Sequence, residues 1–373
     1  MLQPKQKVKL AIIGSRGYPY VYGGYETFVK ELSERLVNSD VEVTVYCQKA
    51  LFVNRPKSVN GISLVYLPTV KHKSLNQLIH SFLSILHVTF SHAQVVLVVN
   101  LAAGPLGWLP RLTGKKTIIN TDGLEWERPK WKGLGSKYFY FGAWCATKFY
   151  NVLVSDAEAM RAVYWKTFKS NSEVIAYGAP EYKKQELGFL KKLGLENQTY
   201  YLIVGRLIPD NNADFIVQEF LNSSSNKKLV VVGDVPYQDS YAETLKSLAS
   251  NQLIFTGYVK NQDELLCLYQ NCFAYFHGHE FGGTNPAMLK AMANKCAILA
   301  LNTPFNQEML NHGEFGLLFE KRSGSLTQLI KRVEETANLD IYRDKVSTGL
   351  GLKYNWNHVT FQYKSLFEKL LKR

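Results

Sequence analysis

Apolar and polar positions fall into two successive blocks along the chain. The first block opens with an apolar run at 8–14 that ends in a glycine-rich loop, and residues 27–36 follow with helical spacing of Phe28, Leu32 and Leu36. Short β-branched runs come next at 41–46, 62–66, 95–99, 117–120 and 152–154, with a helical pattern at 75–90. Runs that are continuously apolar, separated by helical stretches, predict strands of a mostly parallel sheet covered on both faces. The pattern then begins again. A strand is predicted at 201–204, followed by Gly205 and a helix at 212–221. Another is predicted at 229–232, ending at Gly233 and Asp234, and further strands at 253–255, 274–276 and 297–300, with helices at 263–269 and 285–293. Two successive doubly wound α/β sheets are the simplest reading. Gly178 and Pro180 interrupt the pattern, so the expected domains are 1–178 and 179–354. The tail, 355–373, reads as an amphipathic helix with Val359, Tyr363, Phe367 and Leu370 on one stripe, long enough to pack back on the first domain.

Length and composition fit this reading. A chain of 373 residues, 46% hydrophobic, is long for one core and comfortable for two. No run reaches the roughly 18 apolar residues of a membrane-spanning helix. The apolar stretch before Gly14 is too short for a signal peptide, so a cytoplasmic protein is expected. The five cysteines, Cys47, Cys145, Cys267, Cys272 and Cys296, are scattered and include no CxxC pair, which argues against a disulfide framework and a zinc site. Charge changes the picture more. The net charge is +13, of which residues 1–178 carry +11 and the remainder +2. A basic first half points to an anionic partner, either a membrane surface or a phosphate-bearing substrate. No nucleic-acid-binding motif accompanies it.

Four segments could carry chemistry. The loop Gly14-Ser15-Arg16-Gly17, with Gly23 and Gly24 just before a helix, lets backbone N–H groups approach an anion at a helix N-terminus. It is not GxGxxG, which counts against a dinucleotide enzyme. A tight strand-to-helix turn is the alternative. In the second block, Gly205 and Arg206 end a strand at the carboxyl edge of the sheet, where a guanidinium could bridge phosphate oxygens; Asn211 follows. The third segment, from Phe276 to Pro286, brings His277, His279, Glu280, Gly282, Gly283, Thr284 and Asn285 to the start of a helix, with Thr284 or Asn285 as its cap. His277 and His279 have no further metal ligands at suitable spacing, and Glu280 suits a hydroxyl or charge partner. The fourth, Asn120 to Trp131, places Asp122, Glu125, Trp126 and Arg128 after a strand of the first block; tryptophans there suit sugar faces, a membrane surface or plain packing.

Together these motifs resemble glycosyltransferase family 4, and the opening SRGYPYVYGGYETFVKELSERL, NTDGLEWERPKW and HGHEFGGTNPAMLKAMA resemble its bacterial rhamnosyltransferase-like branch. The resemblance implies a GT-B fold, two Rossmann-like domains with the donor held mainly by the second, and a retaining, metal-independent hexosyltransferase that uses no cofactor. The donor would be a dTDP- or UDP-linked sugar and the acceptor a lipid-linked saccharide of capsule or exopolysaccharide synthesis. Such an enzyme would work peripherally at the inner face of the cell membrane, on an anionic membrane surface and without nucleic acid. By position, Gly23, Gly24, Gly283 and Thr284 would approach the donor phosphates, and Gly205, Asn211, His279, Gly282 and Asn285 would also belong to the donor site. Arg206 would neutralise the leaving diphosphate, and Gly257 and Val259 would lie near the nucleobase. Asp122 and Glu280 would be catalytic, and Arg16, Glu125, Trp126 and Arg128 would face the acceptor. One departure stands out: Lys290 occupies the position where the family carries a ribose-binding glutamate. A catalytically silent nucleotide-sugar or partner-binding protein and a nucleotide-sugar epimerase of the same fold are the alternatives.

Overall fold

The structure is a computed structural model, which describes residues 7–19, 23–70, 75–121, 123–129, 133–235, 238–336 and 338–372. These fall into two compact units, one within Met1–Glu127, Trp131–Gly178 and Lys353–Arg373, the other within Arg128–Lys130 and Ala179–Leu352. The division differs from the expected boundaries at 354 and 355 and at Arg128–Lys130. Asn355 already caps the last helix, its side chain accepting from the N–H groups of Asn357 and His358. The return to the first unit therefore begins ahead of that helix.

The first unit contains strands β1 (Val8–Ile13), β2 (Val41–Gln48), β3 (Ser58–Val59), β4 (Ile62–Leu67), β5 (Val95–Val98), β6 (Lys116–Asn120), β7 (Val152–Ser155) and β8 (Glu173–Val174). They form one sheet in the order β3-β4-β2-β1-β5-β6-β7-β8, parallel except for β3 against β4. β5 is buried along its whole length, as a central parallel strand should be. The helix Trp356–Leu371 completes this unit. Its Tyr363 ring lies 5.5 Å from that of Phe28, which stacks on Tyr177 at 4.9 Å, and its Tyr363 hydroxyl donates to Asn120 Oδ1. Trp356 sits against Gly178, where a Cβ would come within 2.3 Å of the indole.

The second unit contains β9 (Tyr200–Val204), β10 (Lys228–Val232), β11 (Leu253–Gly257), β12 (Ala274–His277), β13 (Ile298–Leu301) and β14 (Leu317–Phe319), all parallel, in the order β11-β10-β9-β12-β13-β14. Tyr201 and Phe276 stack across β9 and β12 at 4.6 Å, 6° from parallel, within a core that also buries Ile216, Phe220, Leu299 and Ile330. Each such side chain contributes about 1.5–3 kcal/mol when taken from water. Both units are thus doubly wound α/β sheets. Among the described residues, no helix is long and apolar enough to cross a membrane.

Candidate functional site in the second unit

In the second sheet, β9 and β12 are neighbours, and the chain leaves them toward opposite edges: through β10 and β11 on one side, through β13 and β14 on the other. Ligands of open α/β sheets bind at the carboxyl ends of strands where the order reverses in this way. The loops following β9 and β12 line a small recess here, with Gly205, Arg206, Asn211, Gly278 and His279 among its walls. Gly278 permits the close approach, since a Cβ would stand 2.3 Å from the Asn211 carbonyl oxygen.

Hydrogen bonds fix the recess. Asn211 Nδ2 donates to the Arg206 carbonyl at 2.8 Å, which orients its Oδ1 toward His279 Nδ1, also at 2.8 Å. His279 Nδ1 therefore carries the proton. Burial, reinforced by the neighbouring Arg128, His277 and Arg206, holds the His279 pKa well below its ordinary value, so the ring is neutral. His277 pairs with the Tyr275 hydroxyl instead, and burial lowers its pKa to about 3. The two rings thus take separate partners. Asn212, buried in the left-handed region at φ +51°, donates to the Gly278 carbonyl at 2.8 Å and to Glu280 Oε2 at 3.1 Å. Glu280 Oε2 also receives Lys321 Nζ at 2.6 Å, so this carboxylate is neutralised within the protein. Arg206 contrasts with it: it is exposed, and among the described residues no carboxylate pairs with it.

The chain then enters the helix Pro286–Ala293. Asn285 is its cap, the side chain accepting from the N–H groups of Ala287 and Met288, and Pro286 takes the first helical position. That engages the Asn285 side chain locally. Gly282, Gly283 and Thr284, all buried, precede it. At the end of β11, Gly257 takes φ +66°, Tyr258 is exposed and Val259 is buried. Lys290 donates to Gln262 Oε1 at 2.9 Å, and burial lowers its pKa. Arg128 groups with this unit: its guanidinium is 3.7 Å from Asp210 and donates to the Phe281 carbonyl at 3.2 Å.

The remaining candidates lie in the first unit. Gly23 precedes the helix Gly24–Leu36, its carbonyl accepting from the Thr27 N–H and hydroxyl, so the helix starts earlier than its apolar spacing suggested. Glu26 in the first turn is buried and accepts from the Arg16 N–H at 3.1 Å and the Arg16 guanidinium at 3.4 Å. Arg16 thus pairs with Glu26 at the start of this helix, a contact the glycine pattern conceals. Glu125 is buried. The half-buried Trp126 ring lies edge-on to Tyr140, Tyr164 and Phe168. Asp122 lies outside the described residues. Sequence spacing did not reveal Asn212 or Lys321, because the bonds to Glu280 span 68 and 41 residues.

Comparison with known proteins fits this geometry. Residues 188–348 match the family Glycosyl transferases group 1, and residues 6–57 and 104–180 match a domain of unknown function (DUF1972). An uncharacterized glycosyltransferase of Methanocaldococcus jannaschii is 25% identical over 230 residues, 59% of this chain and 58% of that protein. The N-acetylgalactosamine-N,N'-diacetylbacillosaminyl-diphospho-undecaprenol 4-alpha-N-acetylgalactosaminyltransferase of Campylobacter jejuni is 23% identical over 178 residues, 47% and 48% of the two chains. The match thus spans about half the length of these curated relatives. Among solved structures, sucrose-phosphate synthase from Thermosynechococcus elongatus superposes with a TM-score of 0.82 at 15% identity, covering 98% of this chain and 100% of that one. The chain has the GT-B fold, and within its second unit residues 188–348 match the model for Glycosyl transferases group 1.

Proposed function

We propose that the chain is a retaining, metal-independent hexosyltransferase. It moves a sugar from a dTDP- or UDP-linked donor to a lipid-diphosphate-linked saccharide; L-rhamnose from dTDP-rhamnose, in capsule or exopolysaccharide synthesis, is the specific candidate. The observation that carries the reading is Arg206: an exposed guanidinium without an ionic partner among the described residues, beside a recess at the switch point of the second sheet. When the glycosidic bond to the donor phosphate breaks, negative charge grows on the leaving diphosphate. Arg206 and the backbone amides of Gly283 and Thr284 stabilise that charge as it develops. Neutral His279 offers a hydrogen bond to the sugar without adding a competing cation. Glu280, held by Lys321 and Asn212, positions this loop and can accept from a sugar hydroxyl. The Campylobacter relative's name describes a diphospho-undecaprenol-linked acceptor, which supports an acceptor of this kind here.

Lys290 favours a second reading, a nucleotide-sugar binder without activity, because an ammonium replaces the carboxylate implied for the donor ribose. Calorimetric titration of dTDP, UDP and GDP into wild type and Lys290→Glu separates the two. Selective dTDP binding by the wild type is expected. Binding that emerges only in Lys290→Glu would remove the enzymatic reading.

A further inference from the structure

The outer surface of the first unit departs from that of a solvated protein. The helix Leu75–Thr89 contains no Lys, Arg, Asp or Glu, and its outer stripe exposes Leu75, Phe82 and Leu86, continued by Phe90 at 78% exposure. A solvated helix face is ordinarily charged or polar. The short helix Trp108–Leu112 exposes both end residues, Leu112 at 74%. The helix Leu134–Phe149 exposes Leu134, Phe141 and Trp144, the last two rings stacked at 6.0 Å, with exposed Lys137 and Lys148 on the same stripe. These helices abut. Thr113 Oγ1 donates to the Thr89 carbonyl at 2.9 Å, and Arg111 donates to the Phe149 carbonyl at 3.2 Å. An apolar groove of about 520 Å³ runs between Leu67–Pro68 and Leu83, Leu86 and Phe90.

Charge is segregated over the same elements. Between Glu42 and Asp122 there is no acidic residue, but eight Lys and Arg. Between Glu127 and Asp156 there is again none, with Arg128, Lys130, Lys132, Lys137 and Lys148. Residues 179–352, by contrast, contain no tryptophan.

We infer that this face, formed by Leu75–Thr89, Trp108–Leu112 and Leu134–Phe149, docks on an anionic lipid bilayer. Phe82, Leu86, Phe90, Leu112 and Phe141 enter the acyl boundary, Trp108 and Trp144 sit at headgroup level, and Arg111, Lys137 and Lys148 meet lipid phosphates. A second copy is a poorer occupant, because a two-fold contact sets the same basic, acid-free surface against itself. The inference names the surface partner of the lipid-linked acceptor reading, yet it stands on this face alone.

Vesicle flotation tests it, using phosphatidylcholine alone and a 7:3 mixture with phosphatidylglycerol, at low and high salt. Wild type is expected to float with the anionic vesicles at low salt. Partitioning should weaken at least tenfold in Phe90→Glu/Phe141→Glu and in Lys137→Glu/Lys148→Glu, with melting temperature and nucleotide binding unchanged. Wild type left in the vesicle-free fraction at low salt would overturn the inference, as would flotation that neither variant alters. So would a wild-type dimer in light scattering that Phe90→Glu/Phe141→Glu dissolves, since a second copy would then cover the face. Nucleotide titration reports on the donor site separately, so failure of one reading leaves the other visible.

Discussion

Arg206 carries charge into a recess where Asn211 and the neighbouring Glu280 already have partners within the protein. Asn211 is held by Arg206's own carbonyl and by His279, and Glu280 by Lys321 and Asn212. Removing the guanidinium therefore breaks no described ion pair, and the fold should persist. Arg206→Ala is expected to lower turnover of nucleotide sugar about 10²–10³-fold, the usual effect of losing one donor to a developing oxyanion, with an unchanged thermal transition. Turnover at the wild-type rate would take Arg206 out of the site. Its position was legible in the sequence because an arginine directly after an apolar run at a second strand–loop–helix start can only lie at the carboxyl edge of the sheet. The fate of Glu280 was not: its partner Lys321 comes from a loop after β14, and only the folded register brings the two together. Trp126 shows another limit, for the sequence suits a sugar platform and an aromatic cluster alike, and only the fold reveals its edge-on neighbours.

Elements were legible in proportion to how cleanly their period showed. The central strands β1, β5, β9 and β10 are continuous apolar runs bounded by glycine or polar loops, and pattern alone finds them. The helix Leu134–Phe149 escaped because aromatic residues occupy its outer as well as its inner face, which blurs the contrast that defines an amphipathic period. Two-residue β8 is too short for any period. Long-range caps are likewise invisible in sequence. Glu219, buried on the helix Ala213–Ser223, accepts from the N–H groups of Gly324 and Thr327 and so caps the helix Ser325–Glu335 from outside. Its burial alone would raise its pKa, but these donors outweigh that and lower it. Glu219→Ala leaves part-buried N–H groups at that helix start without their acceptor and is expected to cost about 1–3 kcal/mol, read as a lower urea midpoint. An unchanged midpoint would show that water or a neighbour replaces the cap.

At the scale of the whole molecule, acid should weaken both units together, because each buries a neutral histidine. Burial holds the His80 pKa at about 4 in the first unit and that of His277 at about 3 in the second, against an ordinary 6.5. Between pH 6.5 and 4 the unfolded chain binds protons that the folded one refuses, so stability rises with pH across that window. Above it the histidine contribution is constant. On acidification each group removes up to about 1.4 kcal/mol per pH unit. Urea midpoints should hold between pH 8 and 7 and fall steadily below 6.5, less steeply in His80→Leu. A midpoint indifferent to pH down to 4 would contradict the burial of these rings as neutral groups.

The first unit is completed by the segment Lys353–Arg373, whose helix covers Phe28. On the ribosome, the first 178 residues therefore emerge without their final helix and wait while about 170 residues of the second unit are translated. At roughly 5–20 residues per second, that interval lasts on the order of 10–35 s. Throughout it the side of Phe28 that Tyr363 covers lacks its partner, the stage at which a nascent chain needs shielding. A stop codon within residues 353–373 would accordingly strike the unit made first, while the unit made later already has all of its own residues.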